Sequence, residues 1–188
     1  MKNLKTENNK DIFIFDDVFP SHIVQKMYYF IMKSYFKIDG KDGEVLEQQD
    51  KYSVGISSNY TKDDLINFGL IENLPNDIKE KFKIGYETVD RCIVNVITPF
   101  NSFHIHDDAG QNTVWSLIYY ANLKWDIEYG ADTIFLKDNR KDMIQTVQCK
   151  PNRIVLFDTT IPHLIRPSTI VAPHYRFSIN MTFRGENG

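Results

Sequence analysis

The sequence is poor in cysteine, in long apolar runs and in net charge. Only Cys92 and Cys149 occur among the 188 residues, which is too few for a disulfide framework or a cysteine zinc site and suits a reducing compartment. The polar start MKNLKTENNKD lacks the apolar segment of a secretory signal. No uninterrupted apolar run reaches the roughly 20 residues of a membrane span. The sequence therefore predicts a soluble, cytoplasmic protein without a membrane partner.

The charge and aromatic content narrow the class further. A net charge of -3 gives no broad electrostatic footprint for nucleic acid, which disfavours that partner. Hydrophobic residues make up 42% of the chain, enough for a sizeable core, and 13 Phe, 10 Tyr and 2 Trp favour β structure. The length fits one domain, residues 1–188.

Residues 1–85 are predicted to form a support region of strands and helices. The run IFIF (12–15) indicates a strand, and Pro20 opens a helix whose apolar residues recur at helical spacing. The glycines of FKIDGKDGEV predict a hairpin, and KYSVGIS predicts the next strand. Thr61 and Asp64 form a capping-box pattern for a helix that is weakened at Gly69 and stopped near Pro75, and a short helix to Phe82 follows.

Residues 86–184 are predicted to form the core. Short β-branched and aromatic runs alternate here with turn residues, a rhythm typical of a jelly roll. The expected fold is therefore mainly β, a double-stranded β-helix (jelly roll) buttressed by N-terminal helices. The eight predicted strands are RCIVNVIT, SFHIHDD, TVWSLIYYAN, DTIFLK, IQTVQ, RIVLFD, HLIRP and RFSINMTF.

The segment HIHDD carries the strongest chemical signal. The period of two in a strand places His104, His106 and Asp108 on one face, so that an imidazole and a carboxylate can share one metal ion. His163, in TTIPHLIRP, offers a second imidazole from a distant strand. Two histidines and one carboxylate form the facial triad of non-haem Fe(II) oxygenases.

Two other metal sites use similar residues. A cupin would use His104 with His106, but it expects a Glu a few residues later and none follows HIHDDAG. A zinc hydrolase could use the same three ligands as the triad, so the ligands alone do not separate iron from zinc.

The last predicted strand favours the oxygenase. Arg176 and Ser178 alternate onto one face, 13 residues after His163. A buried guanidinium needs an anionic partner and grips a carboxylate with two hydrogen bonds. A dicarboxylate that chelates iron at one end would meet these residues at the other.

Four segments together resemble the Fe(II)/2-oxoglutarate oxygenases, particularly the prolyl 4-hydroxylase-like group. The resemblance covers residues 86–184, and IFIFDDVFPSHIVQKM is similar to the strand and helix that precede this core. The four segments are HIHDD, TVWSLIYYANLKWDIEYGADTIFL, KPNRIVLFDTTIPHLIRP and YRFSINMTF.

The resemblance implies a role for each candidate site residue. It assigns the catalytic iron to His106, Asp108 and His163. It assigns 2-oxoglutarate binding to Arg176, Ser178 and Tyr120, with Tyr119 as the alternative tyrosine. The implied cofactors are Fe(II), the cosubstrate 2-oxoglutarate and O2, with ascorbate as a further candidate.

The implied reaction is hydroxylation of an unactivated C–H bond, with a prolyl residue of a peptide or protein as the leading substrate. A free amino acid, small metabolite or nucleobase is the alternative; the ending Asn180, Thr182, Arg184 is similar to that of the alkylated-base demethylases. A non-catalytic jelly roll that binds a metal or ligand is the alternative of another class. His104 is expected either near the ligands or packed in its strand, and the loops at 37–60 and 138–143 are expected to shape the mouth of the site.

Overall fold

A computed structural model of the chain describes residues 1–39, 55–100, 103–173 and 175–185. Strands dominate these ranges, and the described part of residues 1–85 contains four α-helices. The strands are β1 Lys2–Lys5, β2 Asp11–Phe15, β3 Lys37–Asp39, β4 Gly55–Asn59, β5 Val89–Ile97, β6 Thr113–Tyr120, β7 Thr133–Leu136, β8 Met143–Val147, β9 Ile154–Asp158, β10 His163–Ile165 and β11 Arg176–Arg184. The helices are α1 Ser21–Met32, α2 Lys62–Phe68, α3 Leu70–Asn73 and α4 Asn76–Phe82.

The strands form two antiparallel sheets. The large sheet has the order β1-β2-β9-β6-β11-β5-β4-β3, and the small sheet has the order β10-β7-β8. Along the core the chain passes from β5 and β6 in the large sheet to β7 and β8 in the small sheet, and then to β9 in the large, β10 in the small and β11 in the large sheet, so that it crosses repeatedly between the sheets as in a jelly roll. The predicted fold class is confirmed.

The helices pack on the outer face of the large sheet. Helix α1 buries Ile23, Val24, Met27 and Ile31 on one stripe, as its 3.6-residue period requires. Helix α2 begins at the predicted capping box of Thr61 and Asp64 and ends at Gly69, whose φ of 78° lies in the left-handed region that glycine adopts most readily. These helices cover the apolar residues of β5 and β11 in one continuous core.

The side chains of strand β11 alternate between the two faces of the large sheet. Phe177, Ile179, Met181 and Phe183 belong to the core beneath the helices. The alternating residues Arg176, Ser178, Asn180 and Thr182 therefore face the small sheet. Between the sheets, an apolar cluster around Ile118, Phe135 and Phe157 fills the side near β6 and β9. The inner face is thus apolar on one side and polar along β11.

The structure corrects one predicted strand and adds one strand that was not predicted. The predicted strand SFHIHDD is wrong: residues 103–108 form only a single bridge, between His106 and His163. Strand β1 was not predicted. It pairs only with β2 at the sheet edge and buries little apolar surface, so its sequence is polar and lacks the apolar alternation of a strand.

Part of the N-terminal region lies beyond the described residues. Residues 40–54, which contain the two glycines of the predicted hairpin and most of KYSVGIS, fall there, and so does much of the loop expected at 37–60. Strands β3 and β4 flank this segment and pair antiparallel with each other. No helix within the described ranges is long and apolar enough to span a bilayer.

Candidate active site

His106, Asp108 and His163 meet between the two sheets. One potential ligand atom from each lies within 4.8 Å of the other two. His163 Nε2 is 3.7 Å from Asp108 Oδ2, and the two imidazole centroids are 4.4 Å apart. Two nitrogen donors and one carboxylate oxygen at this spacing suit one divalent ion and leave its other positions open. His104 is not among the three clustered residues.

Backbone contacts orient both imidazoles. His106 Nδ1 lies 2.9 Å from the carbonyl oxygen of His104, and His163 Nδ1 lies 3.1 Å from that of Ile161. A carbonyl oxygen can only accept a hydrogen bond, so each Nδ1 carries the hydrogen and each Nε2 keeps its lone pair for a metal. His104 thus contributes through its backbone.

The segment that carries His106 and Asp108 is held from several directions. His106 exchanges two backbone hydrogen bonds with His163, and the Asp108 amide donates to the carbonyl oxygen of Thr159 at 2.9 Å. From the β7–β8 turn, Arg140 pairs with the Asp107 carboxylate and donates to the carbonyl oxygen of Ile105 at 3.3 Å. These contacts replace the sheet ladder that the segment lacks.

Both oxygens of the Asp108 carboxylate are engaged. Ser116 Oγ donates to Oδ2 at 2.7 Å, and Arg91 Nη2 donates to Oδ1 at 2.8 Å. Burial by itself raises the pKa of Asp108, but the nearby His163, the Ser116 hydrogen bond and the His106 and Arg91 charges together hold it below its ordinary 3.8. The carboxylate is therefore ionised and ready to bind a cation at neutral pH.

We expect replacement of Arg91 by alanine to weaken metal binding. Partners that orient a ligating carboxylate typically contribute about 10- to 100-fold in metal affinity, so Mn(II) affinity measured by calorimetry should fall within that range. Arg91→Lys keeps the charge but loses the planar donor geometry. Its Mn(II) affinity should therefore lie between those of the wild type and Arg91→Ala. An unchanged affinity in Arg91→Ala would show that Ser116 alone orients Asp108.

The buried imidazole of His163 makes the stability of the metal-free protein depend on pH. Burial lowers the pKa of His163 to about 4, although Asp108 opposes this shift. The ordinary value is 6.5, so between these pH values the unfolded chain binds a proton that the folded chain does not. Stability should therefore fall by about 3 kcal/mol as pH drops from 6.5 to 4.

The comparison of variants isolates this contribution. Urea unfolding of the metal-free protein across that range should show a shallower pH dependence in His163→Gln than in wild type. His22→Gln, an exposed site on α1, is the matched control and should follow wild type. Equal slopes in wild type and His163→Gln would contradict the assignment.

Arg176 lies in the same inter-sheet space and is fully buried. Its Nη1 donates to Ser178 Oγ at 2.9 Å. Its Nε and Nη2 have no hydrogen-bond partner among the described residues. A buried cation with two unpaired donors is costly unless an anion completes it. The site therefore fits a carboxylate at this position.

The structure places Tyr120, and not Tyr119, beside Arg176. The Arg176 guanidinium carbon is 4.8 Å from the centroid of the Tyr120 ring, and the Tyr120 hydroxyl donates to Thr133 Oγ1 at 2.9 Å. Tyr119 points to the opposite face, where it packs against Phe19. Burial raises the pKa of Tyr120 to about 12, so its hydroxyl stays protonated.

Sequence reasoning missed the groups that orient the Asp108 carboxylate. Ser116 interrupts the apolar run VWSLI, two and four residues before the inward-facing Ile118 and Tyr120. This spacing is a signal that could have identified it. Arg91 carries no such signal, since its contact with Asp108 spans the sheet. Of the N-x-T-x-R ending, Arg184 donates two hydrogen bonds to Asp90 at 2.8 and 2.6 Å and is not one of the three clustered residues.

An inter-sheet site with two histidines, one carboxylate and a buried arginine on a jelly roll defines the class of non-haem iron oxygenases. The model of the 2OG-Fe(II) oxygenase superfamily matches residues 92–184. The chain belongs to this superfamily and is a 2-oxoglutarate- and Fe(II)-dependent oxygenase. Members use Fe(II), 2-oxoglutarate and O2, and the resemblance drawn from the sequence is confirmed.

Several solved structures share the fold. A prolyl-4-hydroxylase from Pseudomonas putida is 15% identical, with 93% of this chain and 92% of that chain covered and a TM-score of 0.62. A 2OG-Fe(II) oxygenase family oxidoreductase from Burkholderia pseudomallei is 10% identical, with 92% and 84% covered and a TM-score of 0.69.

A third similar structure contains a peptide. It is a prolyl hydroxylase from Trichoplax adhaerens in complex with a hypoxia inducible factor oxygen degradation domain peptide fragment, 14% identical, with 92% and 83% covered and a TM-score of 0.63. At such identities these likenesses establish the fold. No match was found among the curated proteins.

Proposed function

We propose that the chain hydroxylates an unactivated C–H bond of a prolyl residue in a peptide or protein. In this proposal His106, Asp108 and His163 bind Fe(II), and Arg176 binds the distal carboxylate of 2-oxoglutarate with Ser178 and Tyr120 beside it. Bound iron supplies the oxidising chemistry by activating O2 at the expense of 2-oxoglutarate.

The observation that carries the oxygenase part of the proposal is the buried guanidinium of Arg176, whose Nε and Nη2 have no partner among the described residues. Its two free donors match the two oxygens of a carboxylate, and it shares the inner face of the sheet with the metal-binding cluster. A zinc hydrolase built on the same ligands has no use for a second, buried anion site, so this arginine favours the oxygenase over the hydrolase. It equally disfavours a jelly roll that binds only a metal.

The protein's own groups have distinct tasks. The Nδ1 hydrogen bonds fix both imidazoles with Nε2 free, and Ser116 and Arg91 hold the Asp108 carboxylate. The stacked ring of Tyr120 and the Ser178 hydroxyl keep the Arg176 guanidinium in place. The apolar cluster of Ile118, Phe135 and Phe157 closes one side to water. A site organised in this way before substrate binds needs little reorganisation during the reaction.

The similar structures support a prolyl substrate. Two of them are prolyl hydroxylases, and one of these holds a peptide. The matching fold extends over nearly the whole chain, including the N-terminal helices that lie outside the family model.

A peptide hydroxylation assay tests the substrate. The protein is incubated with Fe(II), 2-oxoglutarate and O2 and a library of short proline peptides, with each proline replaced by alanine in a matched set. We expect proline peptides to stimulate succinate release and to gain one oxygen atom on the proline ring, as shown by mass spectrometry with isotopically labelled O2. Stimulation that is equal for the alanine set would contradict a prolyl substrate.

A further inference from the structure

The inner face of the large sheet is more exposed over β5 than over β6. Opposite residues of an antiparallel pair share a face, so Ile93 of β5, Asn180 of β11 and Ile118 of β6 form one row across it. Ile118 is 1% exposed, whereas Asn180 and Ile93 are both partly exposed. The space between the sheets is therefore enclosed over β6 and opens towards β5.

The neighbouring row shows the same gradient. Asn95 of β5 lies opposite Ser178 of β11, which lies opposite Tyr120 of β6. Ser178 and Tyr120 are fully buried, and Asn95 is partly exposed. Ser178 and Tyr120 are also the residues that contact the Arg176 guanidinium. The enclosed side of the face thus holds the proposed cosubstrate anchor, and the open side over β5 remains for the substrate.

Asn180 lies between the cosubstrate anchor and the metal-binding carboxylate. On the inner face of β11 it comes four residues after Arg176 and two residues before Thr182. Thr182 lies opposite both Arg91 and Ser116, the two residues that donate to the metal-binding carboxylate. A group that contacts Asn180 is therefore one row away from the residues that orient a metal ligand.

The side chains of this open part of the face match the chemistry of a peptide. Ile93 is apolar, and its neighbours on the same face include Asn95, two residues along β5, and Asn180, directly opposite on β11. An asparagine amide offers donors and an acceptor, as a main-chain peptide group does. Asn180 Oδ1 is buried without a partner among the described residues, and an N–H group of a ligand would satisfy this acceptor.

We propose that Ile93, Asn95 and Asn180 bind the substrate peptide, which enters over β5. Ile93 contacts the ring of the reacting proline, Asn180 Oδ1 accepts a main-chain N–H, and the Asn95 amide binds a further main-chain group on the open side. The inference rests on the proposed function and adds to it the direction of entry and recognition of the uncharged main chain. Three neutral side chains match an internal peptide segment better than the charged ends of a free amino acid.

Binding of a proline peptide to the full chain loaded with Mn(II) and 2-oxoglutarate tests this inference without turnover. The probe is acetyl-Ala-Ala-Pro-Ala-Ala-amide, and paramagnetic relaxation of its proline ring protons by Mn(II) reports both affinity and proximity to the metal. Asn95→Leu and Asn180→Leu remove one amide each at similar volume and should each weaken probe binding about tenfold, the value of one hydrogen bond. Asn67→Leu, at an exposed asparagine of α2, is the matched control and should bind the probe as wild type does.

The affinities for Mn(II) and 2-oxoglutarate, measured on the same variants, should stay at the wild-type values, which separates a substrate site from a disturbed fold. Wild-type probe affinity in both asparagine variants, no relaxation of the probe by wild type, or an equal loss of 2-oxoglutarate affinity would overturn the inference. The hydroxylation assay reports on the proposed function separately. If proline peptides are hydroxylated and the two variants bind the probe as wild type does, only the substrate-site assignment fails.

Discussion

Replacing His163 by alanine is expected to abolish Fe(II) binding and all 2-oxoglutarate turnover. The substitution removes one of three donors that lie within 4.8 Å of one another, and the two that remain cannot hold the ion against water. Asp108→Ala should have the same effect by removing the only charged donor of the cluster. The measurements are Mn(II) binding by calorimetry, which avoids oxidation of iron, and succinate formation with Fe(II) and 2-oxoglutarate.

Control measurements distinguish the loss of a metal ligand from the loss of the fold. His163 is 2% exposed and lies in β10, so the circular dichroism spectrum and thermal unfolding of each variant should be recorded alongside. His22→Ala, on the exposed side of α1, is the matched histidine control and should bind metal as wild type does. Turnover retained in the double variant Asp108→Ala/His163→Ala would disprove the assignment of the metal site.

Replacing Arg176 by methionine is expected to raise the 2-oxoglutarate requirement by about 100-fold or more, because a buried charge-assisted hydrogen-bond pair is lost. The metal requirement should change little, since the cluster does not contact Arg176 in the described contacts. The measurement is the apparent KM for 2-oxoglutarate beside the apparent Kd for Mn(II). Arg166→Ala, at an exposed arginine, is the control.

Methionine is chosen because its side chain is also long and unbranched but carries no charge. In the cosubstrate-free protein Arg176 is a buried cation with two unpaired nitrogens, so its removal should not unfold the chain. In wild type, 2-oxoglutarate with Mn(II) should raise the Tm well above that with Mn(II) alone, and this additional rise should vanish in Arg176→Met. An equal KM for 2-oxoglutarate in wild type and Arg176→Met would place the anchor elsewhere.

The sequence was most informative where periodicity governs structure. Seven of the eight predicted core strands are present, because alternating apolar residues must be buried on one face of a sheet. The same alternation placed Arg176 and Ser178 together, and the structure brings Nη1 of one to Oγ of the other. The fold class could therefore be predicted from local pattern, whereas the cluster of the three predicted metal-binding residues was predicted from the H-x-D spacing together with the distant His163 and the family resemblance.

The remaining features depend on contacts between distant segments. The SFHIHDD run alternates as a strand does, but its residues 103–108 pair with His163 only at one bridge, and contacts from Arg140, Thr159 and Ser116 fix the segment instead. The choice between Tyr119 and Tyr120 required the register, in which Tyr120 lies opposite Ser178. The contact between Arg91 in β5 and Asp108 in the irregular segment joins two different parts of the fold and has no sequence signature.

An anaerobic absorption titration tests the central claim most directly. Metal-free protein is titrated with Fe(II) and then with 2-oxoglutarate, and the spectrum is followed for the weak visible charge-transfer band that a chelating 2-oxo acid produces on Fe(II). We predict that the band appears in wild type, requires a much higher 2-oxoglutarate concentration in Arg176→Met and is absent from His163→Ala. Absence of the band from folded wild-type protein at saturating Fe(II) and 2-oxoglutarate would contradict the account.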